Sequence, residues 1–244
     1  MSSQGTLQME RLTDTTVPAT ARHGIQIPVR DGALVGDLDI PAGARGLVIF
    51  ARGSGNARHN QRNDHAAMAF REAGFATLLP DLLTEAEERE DELTAELRFD
   101  ISFLTSRLTD TIAWVAQLPE TRGLPIGLFG TNMGAAVAIA AAAADPQRVR
   151  AVVCSGGHPD PAKRDFALVS TPTMLIVGGY EAKVLGQNSE AFVRLRCEKR
   201  FCLVPGSTHL SNGDTLDAVA RGASEWFTRH LSREAAVDDR LVTA

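Results

Sequence analysis

The stretch best equipped for chemistry is Ile126-Gly-Leu-Phe-Gly-Thr-Asn-Met-Gly-Ala-Ala-Val-Ala-Ile-Ala140. An apolar run stops at Gly130, and Gly134 opens an alanine-rich segment that reads as a helix. A strand, a sharp turn between two glycines and a buried helix together thrust the central residue off a strained turn at the top of a sheet. In the pattern G-x-S-x-G that residue is a serine nucleophile. Here it is Asn132, whose amide forms hydrogen bonds but is not a useful nucleophile. Asparagine suits the turn itself, because it tolerates left-handed backbone angles better than most residues. Three further polar positions follow short apolar runs: Arg52, Glu181 and His209.

The elements that must position these groups follow from periodicity. His23–Val29 and Leu34–Ile40 read as strands around an Asp-Gly hairpin turn. Gly46–Ala51, Phe75–Leu79, Val149–Cys154, Thr173–Val177 and Arg200–Val204 are short, mostly apolar runs, as expected of strands in a parallel sheet buried on both faces. Helices alternate with them. One from about Asp64 to Ala73 is expected to carry Ala67, Met68 and Phe70 toward the core. Between Phe99 and Leu118, residues Leu104, Leu108, Ile112 and Val115 form one amphipathic face. The alanine-rich helix ends at Asp145-Pro146, since proline cannot continue it. Two more are expected around Ser189–Arg196 and Thr215–Leu231, the last with Leu216, Val219, Ala223, Trp226, Phe227 and His230 inward. Strand, loop, helix, strand in repetition is the crossover pattern of a parallel sheet. The acidic stretch Glu85–Leu93 reads as a solvated loop or exposed helix near the sheet edge, with partner binding as the alternative.

The chain of 244 residues, 44% hydrophobic, can bury a substantial core, and its organisation reads as a loose arm over 1–22, one domain over 23–231 and a charged tail over 232–244. A net charge of −5 gives no basic field for nucleic acid or acidic membranes. Cys154, Cys197 and Cys202 lack metal-ligand spacing and read as free thiols of a reducing compartment. No apolar run approaches the ~20 residues of a membrane span, and Met1-Ser-Ser-Gln-Gly lacks the features of a signal peptide. A cytoplasmic protein that acts on a small molecule, with no metal and no cofactor, is the expectation. Its oligomeric state is left open.

In open α/β sheets, ligands gather outside the carboxyl ends of the strands. The order elbow, acid, histidine in Asn132, Glu181 and His209 matches the chain order of α/β-hydrolases. The chain resembles the dienelactone hydrolase-like branch of that family over about residues 23–231. The resemblance rests on Phe50-Ala-Arg-Gly-Ser-Gly-Asn-Ala-Arg-His-Asn-Gln-Arg-Asn63, Leu128-Phe-Gly-Thr-Asn-Met-Gly-Ala135, Leu175-Ile-Val-Gly-Gly-Tyr-Glu181 and Val204-Pro-Gly-Ser-Thr-His-Leu210. It implies an α/β-hydrolase fold, a mostly parallel central sheet with helices on both faces and little or no cap domain. It also implies that His209 is a general base oriented by Glu181, with Asp81 as a backup acid. An oxyanion hole would be formed by the Met133 N–H and a donor near Gly53 or Ser54. Such proteins usually carry His-Gly, a Ser or Cys elbow, and Asp where this chain has Arg52, Asn132 and Glu181.

The resemblance therefore implies an esterase or lactone hydrolase whose nucleophile position is occupied by an amide. Arg52, with Arg58, His59 and Arg62, would favour an anionic substrate or pin the loop. Ser155 and Cys154, at the end of the adjacent strand, are the candidate substitute nucleophiles. Three readings follow: hydrolysis by water activated by His209 and Glu181, a non-hydrolytic lyase, isomerase or cyclase using His209 as base, or a non-catalytic binding relative.

Overall fold

Short, mostly apolar runs are satisfied by strands covered on both sides, and this chain places five such strands in parallel, with a sixth, half-exposed strand at the sheet edge. The computed structural model describes residues 20–51, 60–179, 182–205, 210 and 213–231. Its sheet has eight strands: β1 (Thr20–Val29), β2 (Gly32–Ile40), β3 (Leu47–Ala51), β4 (Ala76–Pro80), β5 (Ile126–Thr131), β6 (Val149–Ser155), β7 (Thr173–Gly178) and β8 (Lys199–Val204). They lie in the order β1-β2-β4-β3-β5-β6-β7-β8. The β1–β2 and β2–β4 pairs are antiparallel, and every other pair is parallel. The carboxyl ends of β3, β5, β6, β7 and β8 therefore stand side by side along one edge of the sheet.

Helices cover both faces. On one face, α3 (Ile101–Val115), α4 (Gly134–Ala144) and α5 (Ala182–Arg194) pack over Leu128, Val152 and Cys154. On the other, α1 (Gln61–Glu72) and α6 (Gly213–His230) pack over Val48, Phe129, Val153 and Ile176. Alternating residues of each strand serve the two layers, which is the period-two geometry of a strand. Helix α4 is apolar nearly all round because α3 lies over it and the sheet lies beneath; its small alanines allow that close approach. In α3, Leu104, Leu108, Ile112 and Val115 are all fully buried.

The α1/α6 layer is built on aromatic contacts. The Phe129 ring meets Phe50 and Phe70 at 5.2 Å each, and Phe70 meets Phe227 at 5.4 Å. Edge-on pairs at such distances suit the charge distribution of the rings. Gly127 makes room for this cluster: a Cβ there would lie 2.7 Å from the Phe227 ring.

Several elements depart from expectation. Strand β1 begins at Thr20, ahead of His23. Helix α1 begins at Gln61, capped by Asn60, whose side chain accepts from the Arg62 N–H at 3.0 Å. Met68 does not face the core; it is 49% exposed while Ala67 and Phe70 are buried. One step of helix turns a side chain by about 100°, so Ala67 and Phe70 share a face that Met68 leaves. Helix α5 starts at Ala182 rather than at Ser189, because its inward positions are Val184, Asn188 and Ala191. A polar residue on the core face and Gly186 in the first turns hide that helix from a hydrophobic count.

The acidic stretch forms α2 (Glu85–Thr94), started by a capping box: Thr84 accepts from the Glu87 N–H, and the Glu87 carboxylate accepts from the Thr84 N–H at 2.7 Å. The helix is not acidic on a solvent face alone. Asp91 is buried and accepts from the N–H groups of Leu97 and Arg98 at 2.8 and 3.0 Å, and from Arg98 Nε at 2.6 Å. Burial pushes its carboxyl upward, but the hydrogen bonds and charge of Arg98 and the Leu97 N–H outweigh it and hold it below the usual carboxylate range. Glu87 likewise holds the buried Arg107 at 2.6 Å. Among the described residues, no helix is long and apolar enough to cross a membrane.

Candidate active site

The turn after β5 is a strained elbow. Asn132 adopts φ +51°, and its side chain is exposed at the carboxyl edge of the sheet. The chain reverses so tightly that a Cβ at Gly130 would lie 2.5 Å from the Gly134 carbonyl oxygen and 2.9 Å from Ala135 Cα. Only glycine fits there. Met133 is the N-cap of α4, and no side chain caps that helix. The Ala135 and Ala136 N–H groups close the first turn onto the Asn132 and Met133 carbonyls at 3.2 and 3.1 Å, and the positive end of the helix dipole lies at the elbow.

A cleft opens beside the elbow on the α1/α6 side. Its lining includes Asn60, Arg62 and Asn63 from the start of α1, Thr131 and Asn132 from the elbow, Ser155 and Gly156 after β6, and Leu210. Phe129 and Val219 form its apolar floor. About 40 Å³ is open to water. Leu210 is buried at φ +47°, and the Gly156 α-carbon faces it. Leu210 therefore lies at the ends of β5 and β6, three and two strands from β8 in the order. His209 immediately precedes Leu210 in sequence.

The loop after β6 is fastened to the elbow. The His158 N–H donates to the Asn132 carbonyl at 3.0 Å, and Gly157 lies so close that a Cβ would sit 2.2 Å from Ala135 Cβ. Helix α5 holds the same loop from its other side. Asn188 is fully buried and donates through Nδ2 to the Gly157 and Val184 carbonyls at 2.8 Å each, and Gln187 Oε1 lies 2.9 Å from His158 Nδ1. These contacts carry the elbow's position to the helix that starts one residue after Glu181.

The candidate residues sort accordingly. Asn132, Met133 and Arg62 are brought to one place with Ser155. Arg52, Gly53, Ser54, Arg58, His59, Glu181 and His209 lie outside the described residues. Cys154 faces the opposite layer, where its Sγ lies 3.7 Å from the Ala135 carbonyl; burial pushes its thiol up to about 12, so it is no nucleophile. Asp81 follows β4, two strands from β5, and is not part of the cleft lining. Sequence reasoning passed over Asn60, Asn63, His158, Gln187 and Asn188. For Asn60 and Asn63 the one signal was their place in the polar loop after a buried strand. Among the described residues, no group of three or more His, Cys, Asp or Glu could hold a metal ion.

A mostly parallel eight-stranded sheet, helices on both faces and a left-handed elbow before a buried helix define an α/β-hydrolase fold. Est1E from Butyrivibrio proteoclasticus shares that fold at 13% identity, with a TM-score of 0.72 over 85% of this chain and 98% of that one. The model of the dienelactone hydrolase family matches residues 34–201, and the chain belongs to that family. It is 43% identical to a dienelactone hydrolase from Anabaena variabilis ATCC 29413, whose crystal structure superposes with a TM-score of 0.84 over 87% of this chain and 99% of that one. It is also 44% identical, over 215 residues, to Mycobacterium tuberculosis proteins provisionally named phosphoribosyl transferases. The match takes in 88% of this chain and 48% of theirs, so the chain spans about half the length of these curated relatives.

Proposed function

We propose that this protein cleaves an ester or lactone of a small molecule by direct attack of water, without an acyl-enzyme. The observation that carries this reading is the exposed Asn132 at the apex of a left-handed elbow, beside the uncapped start of α4. An amide there forms no acyl intermediate, yet the backbone donors of an oxyanion hole do not depend on the side chain at the apex. In this reading His209, held in one tautomer by Glu181, takes a proton from water while the water oxygen bonds to the acyl carbon. The carbonyl electron pair moves onto oxygen, facing the Met133 N–H and a donor at Gly53 or Ser54. Collapse expels the alcohol oxygen, which receives the proton from His209. Arg52 and Arg62 favour a substrate with negative charge. General-base help contributes ~10²–10⁴-fold and an oxyanion donor ~10²–10³-fold, so turnover is expected to be slow.

The test uses p-nitrophenyl acetate and a panel of small lactones. The parent is expected to turn over slowly without a burst, and a fluorophosphonate probe is expected to label no residue. Asn132→Ser is expected to gain at least about 100-fold in esterase activity and to be labelled at position 132, since a nucleophile in an intact triad is worth up to about 10⁶. A burst with a covalent adduct on any residue of the parent overturns direct water attack.

The longer Mycobacterium tuberculosis relatives favour one second reading. There the domain works beside a phosphoribosyl-transfer module and uses His209 as base in a lyase, isomerase or cyclase step on a compound that module makes or consumes. Asn132→Ser silent toward esters, with His209→Ala abolishing such a conversion, supports it. If His209→Ala changes no conversion while ligand binding persists, the domain is a binding relative.

A further inference from the structure

The period-two geometry of β6 sends Val152 and Cys154 toward α4 and leaves Ala151, Val153 and Ser155 facing the α1/α6 layer, where the cleft lies. Ser155 pairs in register with Thr131, the residue before Asn132. Parallel neighbours are about 4.8 Å apart, so the last residue of β6 stands next to the elbow, and both Ser155 and Asn132 line the cleft.

The backbone that follows Ser155 is held from several directions. The Gly156 N–H donates to the Ile176 carbonyl at 2.8 Å, and the chain then turns at φ +56°. Beyond it, Gly157 is held by Asn188, and the His158 N–H is held by the Asn132 carbonyl. A buried water needs ~10–15 Å³ and two to four polar partners. The cleft offers about 40 Å³ beside Asn132, Ser155 and Thr131. The site is both roomy and polar.

We propose that Ser155 is a further catalytic residue that holds the attacking water together with Asn132. This rests on the direct-water reading above. The Ser155 O–H donates to one lone pair of the water, and Asn132 Oδ1 accepts one of its hydrogens. The other lone pair forms the bond to the acyl carbon as the general base of the direct-water reading takes the second proton. The serine keeps its own proton throughout and forms no covalent bond, while the water supplies both the new C–O bond and the proton that leaves with the alcohol. The amide at the apex and the hydroxyl on the next strand thus act as one water site in place of a nucleophile.

The experiment combines a high-resolution crystal structure of the full chain with kinetics on p-nitrophenyl acetate for the parent, Ser155→Ala and Ser155→Thr. An ordered water within hydrogen-bond distance of Ser155 Oγ and the Asn132 amide is expected in the parent and is expected to be lost in Ser155→Ala. In that variant kcat is expected to fall about 10–100-fold, the scale of a misplaced reactant, with KM within about twofold; Ser155→Thr, which keeps the hydroxyl, recovers most of kcat. Absence of a bridging water, unchanged kcat in Ser155→Ala, or a fluorophosphonate adduct on Ser155 overturns the proposal. If the water bridges both groups yet the parent cleaves no ester or lactone, the water site stands and the hydrolytic reading fails.

Discussion

Gly157→Ala tests the packing that holds the elbow. The added methyl would lie 2.2 Å from Ala135 Cβ and 3.0 Å from the Asn132 carbonyl oxygen. Carbon atoms rest at about 3.5–4.0 Å, so the overlap is roughly 1.5 Å. Neither neighbour is the end of a flexible side chain: one is a Cβ on a buried helix, the other is backbone. The loop must retreat, and the His158–Asn132 bond of 3.0 Å and the Asn188–Gly157 bond of 2.8 Å stretch with it. Two hydrogen bonds at about 1 kcal/mol each, plus about 1–3 kcal/mol for overpacking, sum to about 3–5 kcal/mol. At ~2–4 °C per kcal/mol for a domain of this size, the thermal midpoint is expected to fall by roughly 10 °C. Urea unfolding followed by circular dichroism measures the loss. Adding Ala135→Gly removes the methyl contact at a helix cost of about 1 kcal/mol, so the double variant is expected to be more stable than Gly157→Ala alone. A cost below about 1 kcal/mol for Gly157→Ala, or strict additivity in the cycle, refutes the reasoning.

Two further predictions concern buried titratable groups. Asp91 has its carboxyl lowered in the folded state relative to an unfolded value of ~3.9. Its contribution is therefore fully present above that value and is lost as pH falls through the folded one. Asp91→Asn is expected to lower stability at pH 7 and to flatten the acid limb below about pH 4; an unchanged limb in the variant refutes the assignment. Cys154, fully buried with its thiol raised to about 12, is expected to escape iodoacetamide at pH 8 in the folded protein while the half-buried Cys202 is modified. Peptide mass spectrometry checks this, and native labelling of Cys154 as fast as Cys202 contradicts it.

Much of the molecule was legible along the chain. Gly130, Asn132 and Gly134 announce the elbow because a left-handed residue between two close backbone approaches restricts each position locally. The face of Leu104, Leu108, Ile112 and Val115 is written in helical spacing, and the buried strands are written in uninterrupted apolar runs. These are short-range signals, set by backbone geometry and the burial of contiguous residues.

What tertiary structure decided is which distant groups meet. Strand register sets Ser155 beside Thr131, and the order of the strands keeps Asp81 from the cleft. The layer above the sheet turns Asn188 inward to hold Gly157, although its type suggests solvent, and turns Met68 outward, although its type suggests core. Asp91 becomes a buried hub only because Leu97 and Arg98 fold back on it. Residue type and spacing determine elements, because those depend on neighbours in sequence. Contacts between elements depend on register and layer, which no single segment contains, and the water site proposed at Asn132 and Ser155 is of that second kind.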